Sequence, residues 1–154
     1  IVDAFFLFVK NNPNAKLLIA GSDDGYETFL RQKIEKLNLL DSVFLIGAIN
    51  HENKCKLLSN CSAFALASKF ESFGIVVAEA LAAGVPVIIS NKTPWKDIEN
   101  NNCGIFTDNN KNSFYHSFCK IKEKKFNSLV IKEFVKSNFD WNIIVKRFIK
   151  IIEK

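Results

Sequence analysis

The residues with the clearest chemical potential lie in the stretch Ser68–Val87, where the acids Glu71 and Glu79 stand eight positions apart. Between Gly74 and Ala83 every residue except Glu79 is small or apolar. A helix that is apolar on all sides is expected to be buried. A carboxylate on such a helix is costly unless it has firm hydrogen-bond or charge partners. The stretch therefore predicts a buried helix whose single acid has a specific partner.

The residues at the start of this helix predict a ligand-binding loop. Gly74 lets a ligand approach the backbone closely, and the free amides of residues 73–76 form a donor site for an anion or a hydroxyl group. Gly84 suits the end of the helix, with Pro86 just beyond it. A plain alternative fits equally well: Glu79 is a structural partner for a lysine, and Glu71 is an acid favoured by the helix dipole.

The rest of the chain alternates short apolar runs with helical patterns. Five runs are predicted to be strands, at residues 16–20, 43–46, 62–67, 87–89 and 104–107. Helices are predicted before, between and after them, with Asn50 and Thr93 as N-caps and two or three helices at the end of the chain. This order favours an α/β, Rossmann-like three-layer sandwich with a mostly parallel sheet covered on both faces. Ligands of such sheets bind beyond the carboxyl ends of the strands.

Composition limits the class of protein. The 154 residues fit one domain, and 48% hydrophobic with 24% charged residues excludes disordered and fibrous chains. Residues 111–154 carry a net charge of +7 and residues 1–110 carry −2, which gives the total of +5, but the chain has only two arginines, which disfavours nucleic-acid recognition. The four cysteines form no Cys-x-x-Cys pair, which argues against a zinc site. The absence of methionine suggests a piece of a longer protein.

Several familiar motifs are missing. The chain has no Gly-x-Gly-x-x-Gly turn after a strand, no phosphate-binding P-loop and no Gly-x-Ser-x-Gly elbow. A receiver-like signalling module or another non-catalytic nucleotide-binding domain remains an alternative by length. A receiver needs an aspartate at the end of a central strand, whereas the predicted strands end in glycine or serine, at residues 21, 47, 68 and 90.

Glu71 is followed by Phe73-Gly74-Ile75, and Glu79 begins the run Glu-Ala-Leu-Ala-Ala-Gly-Val-Pro-Val. This pattern, with the two glutamates eight positions apart, resembles that of the retaining family 4 (group 1) glycosyltransferases. These enzymes have the two-domain GT-B fold. Further segments match in the expected order, namely Asp3–Phe5, Pro13–Leu17, Ile19–Gly21, Leu39–Gly47, Cys103–Ile105 and Phe139–Trp141. A sugar-nucleotide epimerase of the GT-B type is a second alternative, but it is not expected to carry the paired glutamates.

The resemblance implies that residues 1–154 are a C-terminal nucleotide-sugar-binding domain that lacks its first strand and the N-terminal acceptor domain. The enzyme would be a hexosyltransferase, and this chain alone is expected to be inactive. Glu71 would be the catalytic residue at the donor sugar, and Glu79 would bind the ribose hydroxyls. The other donor-binding residues implied are Ser72, Phe73, Gly74, Ile75, Gly21, Gly47 and Lys69.

The resemblance also implies the partners of the enzyme. No metal and no cofactor are expected, and the donor is a UDP-, GDP- or ADP-sugar. The missing N-terminal domain is the expected protein partner, and nucleic acid is not. A bacterial, cytoplasmic enzyme of polysaccharide biosynthesis is the expected setting, with peripheral association at the inner face of the cell membrane left open.

Overall fold

A computed structural model describes residues 1–153 as an alternation of helices and parallel strands. The helices are α1 (Val2–Val9), α2 (Glu27–Lys36), α3 (His51–Ser59), α4 (Ile75–Ala82), α5 (Lys111–Glu123), α6 (Ser128–Phe139) and α7 (Trp141–Ile152). The strands are β1 (Leu17–Ala20), β2 (Val43–Gly47), β3 (Phe64–Leu66), β4 (Val87–Ser90) and β5 (Gly104–Thr107). The predicted order of elements is therefore confirmed, including three helices after the last strand.

The strands form two hydrogen-bonded sheets, both entirely parallel. One sheet pairs β1 with β2, and the other has the order β3-β4-β5. Within residues 1–153 no ladder joins the two sheets. They nevertheless share a hydrophobic cluster, in which Leu17 and Ile19 of β1 pack with the buried Ile88 of β4. The α/β fold is thus confirmed, with its parallel strands in two separate ladders.

The predicted buried helix is α4, and its position is set by the three-stranded sheet. Val77, Ala80 and Leu81 are fully buried, in one cluster with Ile89 of β4. Helix α6 packs over the same helix and adds the buried Ile131 to this cluster. The apolar sequence of α4 thus reflects contacts on several sides at once.

The structure differs from the predicted burial of some apolar residues in the first strands and helices. The first two strands were expected to be buried, but Leu18 and its register neighbour Phe44 are 42% and 41% exposed. In α2 the spacing of Phe29, Leu30, Ile34 and Leu37 predicts one apolar side, but Phe29 is 52% exposed. In α1 the spacing predicts an apolar side with Phe5 and Phe6, whereas the buried aromatic residues are Phe5 and Phe8. Periodicity predicts an apolar side, but the packing of neighbouring elements decides which residues it covers.

The two predicted N-caps have different outcomes. Asn50 caps α3 as expected, because its side chain accepts a hydrogen bond from the amide of Asn53. Thr93 does not start a helix, because its hydroxyl instead donates to the carbonyl of Ser90 at 3.0 Å. The short 3-10 turn in this region covers Lys96–Ile98 and begins after Trp95.

Helix α7 presents an uncovered apolar side. Its contacts are mainly with α6, and it has no buried residue. Seven of its apolar side chains are exposed, namely those of Trp141, Ile144, Val145, Phe148, Ile149, Ile151 and Ile152. Across residues 1–153, no helix combines the length and the apolarity that crossing a bilayer requires.

Candidate functional site

The loop after β3 is held in place by the loops that follow β4 and β5. The Ser90 hydroxyl donates to the carbonyl of Ser68 at 2.6 Å. The side-chain amide of Asn109 donates to the carbonyls of Ala67 and Ser68 at 3.1 and 3.0 Å. The carboxyl ends of three neighbouring strands are therefore tied together, at the edge of the sheet where ligands of parallel sheets bind.

A glycine is required where this loop enters α4. Gly74 has a φ of +77°, which L-residues with side chains rarely adopt. A Cβ placed there would lie 3.1 Å from Cγ of Glu71 and 3.3 Å from Cγ2 of Val77. Glu71 thus packs against the bare backbone of Gly74, and its carboxylate accepts a hydrogen bond from the Ser68 hydroxyl at 3.3 Å. The sequence placed both residues correctly at the start of the helix.

An aromatic cluster supports the same loop from behind. The indole N–H of Trp95 donates to the carbonyl of Phe73. The ring of Trp95 packs against Phe73 at 5.1 Å and against Phe139 at 4.8 Å between centroids. Trp95 is 4% exposed, so its side chain supports the loop from inside the fold and has little contact with solvent.

The amides of the loop remain available on its open side. Within the described chain, the recorded hydrogen bonds include none donated by the amides of Phe73, Gly74 or Ile75. By contrast, the carbonyls of Ala67, Ser68 and Phe73 accept hydrogen bonds from the side chains of Asn109 and Trp95. Free amides at the start of a helix favour an anion or a hydroxyl group. Donor binding by these amides stays a prediction.

Trp95 and Asn109 lie in two loops, residues 90–95 and 107–112, that the strand pattern predicts at the ligand edge of the sheet, but the sequence gives neither residue a role of its own. Both follow predicted strands, in the loops after β4 and β5. That position was the available signal, because such loops meet at one edge of a parallel sheet. Their contact with the loop after β3 depends on the strand order, which a single sequence does not state.

Glu79 has a lysine partner. Nζ of Lys54, on α3, lies 2.6 Å from Oε1 of Glu79, with side-chain exposures of 30% and 25%. Among the hydrogen bonds of residues 1–153, Oε2 of Glu79 has none. The plain expectation of a lysine partner is therefore confirmed, and one carboxylate oxygen is left open.

The two predicted glycines on the other sheet lie together. The amide of Gly21 donates to the carbonyl of Gly47 at 2.9 Å, just beyond β1 and at the end of β2. No heavy atom lies within 4 Å of a Cβ built on either glycine, which leaves open space beside the backbone. Their positions agree with the expectation of room for a ligand.

The acidic loop after Gly21 has a structural explanation. One oxygen of Asp23 accepts hydrogen bonds from the amides of Gly25, Tyr26 and Glu27, at 2.8 to 2.9 Å. These bonds hold the pKa of the Asp23 carboxyl below its ordinary value, and the bond from the Glu27 amide has the largest effect. Asp23 thus serves the start of α2.

The remaining predicted residues lie on an open surface. Ser72 and Lys69 are exposed, and Ile75 is 69% exposed. Lys69 pairs with no acidic side chain in the described part of the chain. Two open cavities, of about 270 and 310 Å³, lie elsewhere, between α2 and β2 and beside α6. The candidate site is therefore a shelf at the sheet edge rather than an enclosed pocket.

The chain matches a family model and curated proteins. A family model described as "Glycosyl transferases group 1" matches residues 1–133. An alpha-1,3/1,6-mannosyltransferase of Dictyostelium discoideum is 29% identical over 178 aligned positions, covering 99% of this chain and 41% of the relative. A probable sucrose-phosphate synthase of Thermosipho melanesiensis is 26% identical and is covered over 37% of its length. The chain thus spans about two fifths of these relatives.

Solved structures show the same fold at low identity. A glycosyltransferase from Rickettsia africae superposes with a TM-score of 0.82 at 20% identity, over 97% of this chain and 42% of that protein. The Anabaena protein HepE, solved in complex with UDP and glucose, superposes with a TM-score of 0.80 at 20% identity, over 99% of this chain and 43% of HepE. The α/β fold is therefore that of glycosyltransferase domains.

We expect Trp95→Phe to destabilise the chain by about 1–3 kcal/mol, because it removes a buried hydrogen-bond donor and part of a packed ring. Trp141→Phe is the matched control, since Trp141 is 76% exposed and its replacement is expected to change stability by less than about 0.5 kcal/mol. Urea unfolding followed by circular dichroism measures both. Equal stability of the two variants would contradict the supporting role of Trp95.

Proposed function

The chain belongs to the group 1 glycosyltransferases, and on that basis we propose that it binds the donor of an enzyme that transfers a sugar from a nucleotide sugar to an acceptor with retention. The observation that carries the proposal is a set of neighbouring groups along one loop and helix. Glu71 is followed by the free amides of residues 73–75, and the helix that begins there carries Glu79 with one open carboxylate oxygen. The HepE complex, which contains UDP and glucose in a similar fold, supports this class of ligand.

Glu79 is proposed to bind the ribose. A carboxylate has two oxygens that accept hydrogen bonds, so it can receive both hydroxyl groups of a cis-diol. Glu79 is half-buried on an apolar helix and has one oxygen open. That combination suits a ligand that supplies hydroxyl donors.

Glu71 is proposed to act at the donor sugar, beside the amides of Phe73, Gly74 and Ile75. When the bond between the anomeric carbon and the phosphate oxygen breaks, negative charge develops on the leaving nucleoside diphosphate. Preorganised amide donors and basic side chains stabilise such charge. Lys69 is an exposed cation in this loop and is proposed to assist. Independence from metal stays a prediction from the resemblance.

The nearest alternative, a receiver-like module, has no support in the geometry. A phosphoacceptor aspartate belongs at the carboxyl end of a central strand. The strands of this chain end at Ala20, Gly47, Leu66, Ser90 and Thr107. The group at the sheet edge is instead a pair of glutamates beside free amides.

We also propose that an upstream strand and an acceptor domain complete the enzyme. The split between β1–β2 and β3–β4–β5 supports this, because a strand inserted between β1 and β3 would join the two ladders into one sheet. Helix α1 packs on the cluster that both sheets share, so a preceding strand would lie close to both edges. The exposed sheet edge and the open donor shelf fit the same proposal.

We expect Glu79→Ala to remove most of the affinity for nucleoside diphosphate, because the ribose hydroxyls lose a charged acceptor worth about 1.5–3 kcal/mol. Calorimetry with UDP, GDP and ADP on the longer enzyme measures it, with weak binding expected for this chain alone. Glu52→Ala is the control, since Glu52 is an exposed acid paired with Lys56 on α3. Binding of none of the three by the unmodified enzyme would overturn the donor site, and equal binding by Glu79→Ala would overturn the ribose role.

For Glu71→Gln we expect a different result, namely loss of turnover by about 100-fold or more with nucleotide affinity largely kept. The reason is that Glu71 faces the sugar and not the nucleotide in the proposed arrangement. Turnover and calorimetry on the same enzyme samples separate the two effects. A variant that keeps its turnover but loses UDP, GDP and ADP would contradict this assignment.

The proposed upstream strand makes a separate prediction for hydrogen exchange. Amides of β1 and β3 are expected to exchange more slowly in the longer enzyme than in this chain, because both edges gain a hydrogen-bonded neighbour. Amides of β4 serve as the internal control, since β4 already has a strand on each side. Unchanged exchange in β1 and β3 would exclude an inserted strand.

A further inference from the structure

The ion pair between Lys54 and Glu79 differs from the surface pairs of this chain. It joins two helices, α3 and α4, over 25 positions of sequence, and both side chains are about 70% or more buried from solvent. The pair Lys56–Glu52, also on α3, lies within one helix and is 68% and 74% exposed. Exposed pairs of that kind contribute little to stability. Because the Lys54–Glu79 pair is largely buried, loss of one partner is expected to affect the other more strongly than in an exposed pair.

The position of Lys54 links two parts of the donor site. Helix α3 begins at His51, four residues after Gly47, and Lys54 lies in its first turn. Glu79 lies in the second turn of α4, after the loop that carries Glu71. The Lys54 ammonium thus connects the helix that follows the glycine turn with the helix that carries the proposed ribose ligand.

The geometry of the pair leaves capacity for a ligand. Lys54 occupies Oε1 of Glu79, and Oε2 has no recorded hydrogen bond in the described chain. An ionised carboxylate offers about four acceptor sites. One ammonium therefore leaves enough of them for two hydroxyl groups, while it limits the rotation of the carboxylate.

We propose that Lys54 is a positioning residue of the donor site, which holds the Glu79 carboxylate in the orientation that recognises a ribose diol. This inference rests on the proposed function. It assigns to Lys54 a role in nucleotide discrimination and not only in joining two helices. A side chain that is held before the ligand arrives loses less conformational freedom on binding. The ribose hydroxyls then meet a carboxylate that is already paired and oriented.

The test compares nucleotides that differ at the hydroxyl that Glu79 would read. Calorimetry on the longer enzyme uses UDP, GDP and ADP together with their 2′-deoxy forms. We expect Lys54→Met to weaken the best-binding ribonucleotide about tenfold and to reduce its preference over the deoxy form. Lys54→Arg is expected to restore part of that preference, because a guanidinium can still donate to the carboxylate.

Lys33→Met is the matched control. Nζ of Lys33 pairs with Asp3 at 2.5 Å and its side chain is 29% exposed, close to the 30% of Lys54, but it joins α2 to α1 away from the proposed site. A lysine that only joins helices would behave like Lys33, with altered unfolding in urea and an unchanged preference for the ribose form. We expect Lys33→Met to leave the preference intact.

The double variant Lys54→Met/Glu79→Gln shows whether the two residues act together. We expect it to bind no more weakly than Glu79→Gln alone, because Lys54 acts through the carboxylate. If Lys54→Met does not fold, the comparison of Lys54→Arg with Lys54→Gln answers the same question. An unchanged preference in the Lys54 variants, or an equal loss for both forms of nucleotide, overturns the role of Lys54 and leaves the proposed function standing. Failure of the unmodified enzyme to bind UDP, GDP and ADP overturns both.

Discussion

The burial of helix α4 is the constraint on which the rest of the site depends. Seven of its eight residues are apolar, and Val77, Ala80 and Leu81 have no exposed surface. Once these side chains pack against the three-stranded sheet and α6, the helix cannot rotate without exposing them. The direction of Glu79 and the place where the Gly74 loop enters the helix follow from this packing.

In the loop before α4, the carbonyls of Ser68 and Phe73 accept side-chain hydrogen bonds, whereas the amides of residues 73–75 donate none within the described chain. Ser90 and Asn109 donate to Ser68, and Trp95 donates to Phe73. Ser90 ends β4, Trp95 lies in the loop that follows it, and Asn109 lies in the loop after β5. Because the amides of residues 73–75 take no part in this hydrogen bonding, a ligand can use them without breaking a bond of the fold.

The two halves of the chain differ in how completely they cover their apolar surface. Around β4, the buried residues include the whole strand, three residues of α4 (Val77, Ala80 and Leu81), Trp95 and Ile98. On the β1–β2 sheet Leu18 and Phe44 stay exposed, and α7 leaves most of its apolar side chains uncovered. The better-covered part of the fold is therefore the part that carries Glu71 and Glu79.

Much of the fold was predictable from local patterns. The five strands, the apolar helix, the Asn50 cap and the glycine before α4 all depend on neighbouring residues, and the structure agrees with them. The exposed Leu18 and the absent Thr93 cap were not predicted, because burial and capping there depend on contacts with distant segments.

The sequence by itself determined the order of the elements, the paired glutamates and the family, because each is encoded by spacing along the chain. Only the tertiary structure decided which side chains serve the glutamate loop. Trp95 and Asn109 lie 22 and 41 residues from the atoms they hold, and Lys54 lies 25 residues from Glu79. Strand order brings these groups together, and strand order is a property of packing that no local pattern states.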